Sequence, residues 1–246
     1  MTRKLIRFRN LMAGIGLLFG SLTASGNAPA LAQEQDECDG AITLDHIVYA
    51  VPDLAAYALR FEALTGVKPV YGGEHSNGVT ANYLARLGPC TYLEIAGPKE
   101  GITPEMMGDR AATYAYAHIA GFALGMRSAD EAPDLMRASG LMLGEVRSGG
   151  RQKTDGTSLQ WRTVSLTGLD WGENTFQFAI EWMTEPHPAT TSPAGATLRA
   201  LVLAGPSATT LAPLVEAHDL PIELNGDAAR GLALVLDTPN GRIEIR

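Results

Sequence analysis

The chain has 246 residues, of which 46% are hydrophobic and 19% charged, and its formal net charge is −8 at pH 7. A negative charge of this size argues against nucleic acid or an anionic membrane surface as a partner. The sequence contains no Walker loop, dinucleotide-binding fingerprint, GxSxG elbow, HExxH motif or CxxC pair. The function classes that those motifs mark are therefore not indicated.

The first 32 residues have the pattern of a cleavable secretory signal peptide. Four basic residues between positions 3 and 9 precede a short apolar run, and Ala30-Leu31-Ala32 fits the small-residue cleavage rule. The apolar run is shorter than the roughly 20 residues that a membrane span needs. We expect cleavage before Gln33 and export to the periplasm or the cell exterior without a stable membrane anchor. The mature chain would have 214 residues (246 − 32) and a net charge near −12 (−8 − 4).

The two cysteines, Cys38 and Cys90, both follow the predicted cleavage site. In an oxidising compartment such a pair is more often bridged than left as two buried thiols, which is the alternative. Each cysteine lies just before a predicted strand, and the two strands are expected to be neighbours. We therefore predict one disulfide bond.

One pattern of strand, helix and further strands occurs three times and predicts an α+β fold. After a short N-terminal segment (33–41), βαβββ modules are expected at 42–98 and 117–185, and a shorter βαββ-like repeat at 195–246. One such unit buries too little apolar surface alone, so the units must pack together. Curved mixed sheets with helices outside would leave a cup between modules, where a ligand can bind.

Strand periodicity places polar side chains on sheet faces where they could form a site. His46 lies on the face of the first strand opposite to Ile47, and Glu94 and Glu181 lie in the closing strands of the two modules. Buried carboxylates need a partner such as a metal ion or a basic ligand group. The alternatives are a histidine bonded to backbone and glutamates on solvated faces. Glu244 is left out of the site, because flanking arginines explain it as a surface ion pair.

The segment "GGEHSNGVTANY" offers three further polar residues, His75, Thr80 and Asn82. Its glycines allow the backbone to pass close to a ligand, although they fit an ordinary hairpin or bulge equally well. His187 lies in a predicted loop, where it could cap the cup or be exposed.

These residues resemble the glyoxalase-like domain family of the vicinal-oxygen-chelate superfamily, which also includes glyoxalases, bleomycin-resistance proteins and dioxygenases. The resemblance rests on "LDHIVYAVPDLAAYALRFEALTGVKPVYGGEHSNGVTAN", "TYLEIAGP", "DGTSLQWR" and "FAIEWMTEPHP", which span 44–188 in the expected order. It implies paired βαβββ modules around a metal-binding cup.

By position, the resemblance implies His46, Glu94 and Glu181 as metal ligands, with Glu181 or Glu94 as a general base. The ion would be Zn, Ni, Mn or Fe. The chain departs from the family pattern at the fourth ligand, which falls near Phe122 or Ala123, and at a loop glycine that Val79 replaces.

Three functions are compatible with the sequence. The first is a metal-dependent lyase, isomerase or dioxygenase acting on neighbouring oxygens of a small molecule, with His75, Thr80, Asn82, Tyr92 and Trp161 binding the substrate. The second is a metal-free binding or sequestering protein that uses Trp161, Tyr92 and Tyr83 as an apolar lining. The third is a module that serves oligomerisation. A homodimer is a further expectation for the chain.

Overall fold

The structure is a computed structural model that describes residues 42–130, 134, 136–137, 140–153 and 155–246. The predicted signal peptide (1–32) and N-terminal segment (33–41) lie outside the described residues. Cys38 lies there too, so its disulfide with Cys90 stays a prediction. In the described part of the chain, no helix is both long and apolar enough to cross a membrane.

The described residues form twelve strands, four α-helices whose bounds are defined, a 3₁₀ helix at Gly108–Arg110 and helical residues at 134 and 136–137, which confirms the predicted α+β class. The strands are β1 (Ile42–Ala50), β2 (Val70–His75), β3 (Thr80–Arg86), β4 (Tyr92–Pro98), β5 (His118–Met126), β6 (Met142–Gln152), β7 (Ser158–Thr167), β8 (Phe176–Trp182), β9 (Thr197–Ala204), β10 (Ile222–Asn225), β11 (Gly231–Thr238) and β12 (Gly241–Ile245). The helices are α1 (Leu54–Thr65), α2 (Pro104–Met107), α3 (Pro188–Thr191) and α4 (Ala208–Ala217).

The first eight strands close into a barrel in the order β1-β4-β3-β2-β6-β7-β8-β5. β1 joins the strands of the first half of the barrel to those of the second half, because it pairs in parallel with β4 and antiparallel with β5. The opposite junction is much shorter, since β2 and β6 pair at two positions only, Glu74 with Gln152 and His75 with Arg151. Side chains alternate between the two faces of a strand, so every second residue of these strands points into the barrel.

Helix α1 begins and ends where the sequence predicts. The Asp53 side chain accepts a hydrogen bond of 3.0 Å from the Ala56 N–H, which satisfies one of the free donors of the first turn. Gly66 follows the helix with φ of 77°, in the left-handed region that favours glycine. The helix buries Leu54, Ala58 and Phe61 against the outer face of the barrel.

A second sheet, in the order β10-β9-β11-β12, packs against the barrel from outside. Its apolar residues, including Leu201, Leu203 and Leu234, belong to the same buried cluster as Ile47 and Ile95 of the barrel. A main-chain hydrogen bond of 2.9 Å, from the Leu198 N–H of β9 to the carbonyl of Leu87, the residue after β3, links the second sheet to the barrel. The region 195–246 contains four strands, one more than the βαββ pattern expected from sequence.

Candidate functional site

The barrel encloses a cavity of about 370 Å³ that is lined from most of its strands. A polar wall is formed by His46, His75, Thr80, Asn82, Glu94 and Arg151, and an aromatic wall by Tyr92, Tyr114, Trp161, Phe176, Phe178 and Trp182. A cavity that combines an apolar wall with a few convergent polar groups is the usual form of a small-molecule site. The structure thus brings together all five residues that the sequence predicts to bind substrate, and both His46 and Glu94.

A β-bulge in β1 turns two consecutive polar side chains into one buried cluster. Leu44 pairs with Leu124 and His46 with Ala123, so Asp45 is the extra residue of the bulge. Gly125 lies opposite, and a side chain there would contact Thr43 and approach the Asp45 carboxylate. The bulge therefore allows Asp45 and His46, which would face opposite sides of a regular strand, to bond to each other.

The Asp45 carboxylate accepts three hydrogen bonds in the protein interior. Its Oδ1 accepts from His46 Nδ1 at 2.5 Å, and its Oδ2 accepts from His187 Nε2 and Trp182 Nε1, each at 2.9 Å. Burial raises the pKa of the Asp45 carboxyl, but electrostatic attraction and hydrogen bonds from His187 and then His46 outweigh it. The pKa is held well below its ordinary range, so Asp45 is ionised.

This carboxylate fixes the orientation of both imidazole rings. An ionised carboxylate can only accept, so His46 carries a proton on Nδ1 and His187 carries one on Nε2. His187 Nδ1 accepts the Ala189 backbone N–H at 3.1 Å, which satisfies the other nitrogen of that ring. The His46 ring stacks on Tyr92 with centroids 4.8 Å apart. Its Nε2 consequently points into the cavity, 3.5 Å from Glu94 Oε2.

The two oxygens of Glu94 have different environments. Oε1 accepts hydrogen bonds from Asn82 Nδ2 at 2.8 Å and from His75 Nε2 at 3.1 Å, whereas Oε2 faces His46 and the cavity. Burial raises the pKa of the Glu94 carboxyl. The hydrogen bond and charge of His75, the charge of His46 and the hydrogen bond of Asn82 outweigh this effect and lower the pKa to about 2.

His75 is held in turn by the loop between β2 and β3. Its Nδ1 lies 2.8 Å from the Thr80 hydroxyl, which also accepts a 2.8 Å hydrogen bond from Asn77 Nδ2. Because Asn77 donates to the Thr80 oxygen, the Thr80 hydroxyl can donate to His75 Nδ1, which leaves the proton of that ring on Nε2 towards Glu94. Thr80 thus acts by positioning His75.

Glu181 does not join His46 and Glu94, which corrects the sequence-based assignment of a ligand or base. In β8 the cavity is lined by Phe178, Ile180 and Trp182, so Glu181 points to the outer face. There its Oε2 accepts the Ala129 backbone N–H at 3.0 Å and pairs with Arg162 at 3.2 Å. Successive side chains of a strand point to opposite faces of the sheet, so Glu181 points away from the cavity that its neighbours Ile180 and Trp182 line.

One aromatic residue, Tyr83, and one histidine, His187, differ from their expected places, whereas Trp161 lies where the sequence predicts. Tyr83 lies outside the cavity and contacts the Tyr71 ring edge to face, with centroids 5.3 Å apart, because its neighbour Asn82 occupies the inward position. Trp161 does line the cavity and contacts Trp182 at 5.5 Å. His187 is neither an exposed loop residue nor a cap of the cup, since it is buried against Asp45.

Sequence reasoning missed four residues that the cavity depends on. Asp45 lies in β1 on the face opposite to the one predicted for His46, Arg151 belongs to a strand whose pattern gave no sign of a functional face, and Tyr114 follows a short helical segment. Trp182 is 137 positions from its partner Asp45. The available signal for Asp45 was its position directly before His46 in an otherwise apolar strand.

The donor set has the chemistry of a metal site but not its arrangement. Imidazole nitrogen and carboxylate suit zinc, nickel, manganese and iron. However, Oε1 of Glu94 is occupied by His75 and Asn82, and Glu181 lies on the other face of the sheet. Among the described residues, no group of three or more His, Cys, Asp or Glu side chains is placed to hold an ion. The residues therefore do not fit the centre that the resemblance implies.

Comparison with known proteins identifies one family model. The model described as a glyoxalase-like domain matches residues 44–218. No curated protein is significantly similar to the chain in sequence.

Among solved structures, a hypothetical protein from Staphylococcus aureus is similar with a TM-score of 0.55 and 14% identity, covering 83% of this chain and 86% of that one. At this identity the similarity shows a shared fold alone.

Two epimerases are similar over a smaller part of the chain. Methylmalonyl-CoA epimerase from Mycobacterium tuberculosis has 18% identity and a TM-score of 0.39, over 58% of this chain and 89% of that one. The Streptomyces coelicolor methylmalonyl-CoA epimerase has 15% identity and the same score, over 58% and 98%. Scores this low carry no argument about function.

The lowered pKa of Glu94 predicts a specific acid sensitivity. The ionised carboxylate stabilises the fold above the ordinary pKa of 4.5, and this stabilisation is lost as the pH falls from there towards about 2. Removing the charge by Glu94→Gln should flatten the fall of unfolding free energy by up to about 1.4 kcal/mol per pH unit. Urea unfolding between pH 3 and 6 measures this slope.

The exposed Glu216→Gln serves as a control for the loss of one surface carboxylate. An equally steep acid dependence in wild type and Glu94→Gln would show that Glu94 is not held ionised by the cluster.

Proposed function

Because the chain belongs to the glyoxalase-like domain family of the vicinal-oxygen-chelate superfamily, we propose that it binds a small molecule with two neighbouring oxygens inside the barrel. We propose further that it is a lyase or isomerase, in which Glu94 removes a proton from a carbon next to a carbonyl group. The family membership supports a role in small-molecule binding or catalysis. The reaction itself is argued from the cluster around Glu94.

The free oxygen of Glu94 is the observation that carries this proposal. Glu94 is 8% exposed, its Oε1 is held by His75 and Asn82, and its Oε2 is directed into the cavity. A base must be within reach of the substrate proton and ionised at neutral pH, which the pKa of about 2 ensures for Glu94, although so low a pKa makes the carboxylate a weak base. His46 Nε2, 3.5 Å from Oε2, is in position to receive a hydrogen bond from the carboxyl once that oxygen is protonated.

Two tyrosine hydroxyls provide donors for the negative charge that develops on a carbonyl oxygen. Tyr92 and Tyr114 both line the cavity. Burial, followed by the negative charge of Glu94 and, for Tyr92, of Asp45, raises the pKa of each hydroxyl. Both therefore stay protonated at neutral pH and can donate hydrogen bonds to an enolate oxygen.

A metal-free binding protein is the second candidate, and the aromatic wall is what favours it. Trp161, Trp182 and Phe178 offer ring surfaces against which a flat ligand could stack. Such a protein would bind ligand without promoting proton exchange, so the experiment on Glu94 below separates the two candidates.

We also propose how the chain is divided into modules, that it is exported and that it forms a homodimer. We take 42–98 and 117–185 as tandem modules that form the barrel, with 195–246 as a third repeat, and first cleavage between 185 and 195 in limited proteolysis would support this division. Export would be supported by mass spectrometry that finds Gln33 as the first residue of the mature protein and contradicted by retention of Met1. Light scattering tests the predicted homodimer.

Replacing the proposed base should abolish proton exchange at carbon. Hydroxyacetone and 2-oxobutanoate each carry C–H groups next to a carbonyl and two neighbouring oxygens, and deuterium uptake in D₂O can be followed by proton NMR. Wild-type protein should accelerate uptake in at least one of them. Glu94→Gln should lower the accelerated rate by about 10²–10⁴-fold, the usual contribution of a general base.

Glu181→Gln is the matched control, because Glu181 has the same charge but lies on the outer face of the barrel. It should retain the wild-type rate. Accelerated deuterium uptake that survives in Glu94→Gln would contradict the proposed reaction. So would the absence of acceleration in wild-type protein with every probe. In that second case, tight binding of a probe would favour the binding protein.

Metal dependence, which the family resemblance implies, is tested separately. Since the donors are not arranged around one point, we expect elemental analysis to find less than one equivalent of Zn, Ni, Mn or Fe per chain. Chelation should leave deuterium uptake unchanged. One equivalent of metal in wild type that is lost in His46→Ala would contradict this expectation and favour a metal-dependent reaction.

A further inference from the structure

Arg151 is a buried cation in the wall of the cavity. It lies in β6 opposite His75 of β2, lines the cavity and is only 5% exposed. Arginine is almost never buried to this extent unless it is paired with an anion. The proposed proton transfer gives Arg151 no role.

The backbone of β2 is adapted to this side chain. A side chain at Gly72 would collide with the Arg151 guanidinium and with the Asn82 amide oxygen. Glycine at this position therefore allows the guanidinium to lie across the short junction between β2 and β6. A residue accommodated in this way occupies a defined position inside the barrel.

The charge of Arg151 has no counterion among the described residues. Its Nη1 donates a hydrogen bond of 3.0 Å to Asn82 Oδ1, and the guanidinium forms no ion pair within the described part of the chain. Within the described residues, Trp171 Nε1 is the one side-chain nitrogen or oxygen that is both completely shielded from solvent and without a hydrogen-bond partner, so no nitrogen of Arg151 is in that situation. The unpartnered nitrogens of Arg151 are thus not sealed in the protein, and a ligand in the cavity can reach them.

Arg151 and the proposed base are joined by a single amide. The oxygen of Asn82 accepts from Arg151, and its nitrogen donates to Glu94 Oε1. A ligand group bound by Arg151 therefore lies next to the part of the cavity that Glu94 Oε2 faces. A second cation, Arg147, lines the cavity from the exposed part of β6 and would attract anions towards it.

We propose that the substrate is a carboxylic acid with a carbonyl or hydroxyl oxygen on the carbon next to the carboxylate, and that Arg151 binds this carboxylate. Guanidinium and carboxylate form paired, parallel hydrogen bonds, which fix both position and orientation. The inference rests on the proposed function for the site, but its binding test does not depend on turnover.

The test compares benzoylformate with its uncharged analogue benzoylformamide by isothermal titration calorimetry. Both place an aromatic ring and two neighbouring oxygens in the cavity, and neither has a hydrogen on the carbon next to the keto group for Glu94 to remove. Wild-type protein should bind the carboxylate at least 10-fold more tightly than the amide. Equal affinities would overturn the proposal without the use of any variant.

Two variants locate the preference on Arg151. Arg151→Gln should remove the preference for carboxylate, while Arg162→Gln, whose side chain pairs with Asp130 and Glu181 on the outer face, should keep it. A preference that persists in folded Arg151→Gln, as judged by circular dichroism, would overturn the assignment. If Arg151→Gln does not fold, Arg151→Lys replaces it, because lysine keeps the charge but not the two parallel donors of the guanidinium. Arg151→Lys should bind benzoylformate at least 10-fold more weakly than wild type. Equal affinity would overturn the assignment.

The results separate this inference from the proposed reaction. Carboxylate preference without deuterium uptake would support the inference and contradict the lyase or isomerase. Deuterium uptake without carboxylate preference would support the reaction and overturn the role of Arg151.

Discussion

The buried carboxylate of Asp45 is the constraint on which the site depends. It is ionised in the protein interior and accepts N–H groups from His46, Trp182 and His187. A buried charge is tolerated only when such bonds compensate for lost hydration, and removal of one partner of such a pair costs about 3–5 kcal/mol. Because its three partners come from β1, β8 and the loop after β8, this one carboxylate ties the start of the barrel to its last strand.

This network determines the direction in which His46 Nε2 points. With Nδ1 of His46 bonded to Asp45, Nε2 must face Glu94 and the cavity. On the other side, Asn77, Thr80 and His75 form a second chain of hydrogen bonds that ends on Glu94 Oε1. Glu94 is therefore fixed from two sides, and its Oε2 is left facing His46 and the cavity, which is the arrangement on which the proposed proton transfer rests.

Local sequence patterns predicted the parts of the fold that local physics determines. The cap at Asp53, the glycine at Gly66 and the inward faces of β1 and β4 follow from helix capping and from strand alternation around apolar neighbours. The pairing of His46 with Glu94, which lie 48 positions apart (94 − 46), followed from their places in the first and last strands of one predicted module, and the family resemblance supported it. The α+β class and the glyoxalase-like family were both predictable from sequence.

The remaining features depend on contacts that alternation does not encode. Glu181 was assigned to the cavity because its neighbours on the same face, Ala179 and Met183, are apolar and because the family resemblance implies a glutamate in the last strand. The sequence of β8 does not show that its other face points inward. Asp45 escaped notice because a β-bulge reverses the alternation at that residue, and Arg151 because the need for Gly72 arises only when β2 and β6 meet. Each error or omission lies where a bulge, a glycine or a distant partner decides the direction of a side chain.

The orientation of the His46 ring decides whether Asp45 organises the site. Long-range ¹H–¹⁵N NMR of the histidine side chains, assigned with a His46→Gln variant, identifies the protonated nitrogen between pH 5 and 9. If Asp45 holds the ring, the neutral ring of His46 carries its proton on Nδ1 throughout this range. A neutral ring protonated on Nε2 would contradict this prediction, because Asp45 would then not hold the ring and Nε2 would not be available to Glu94.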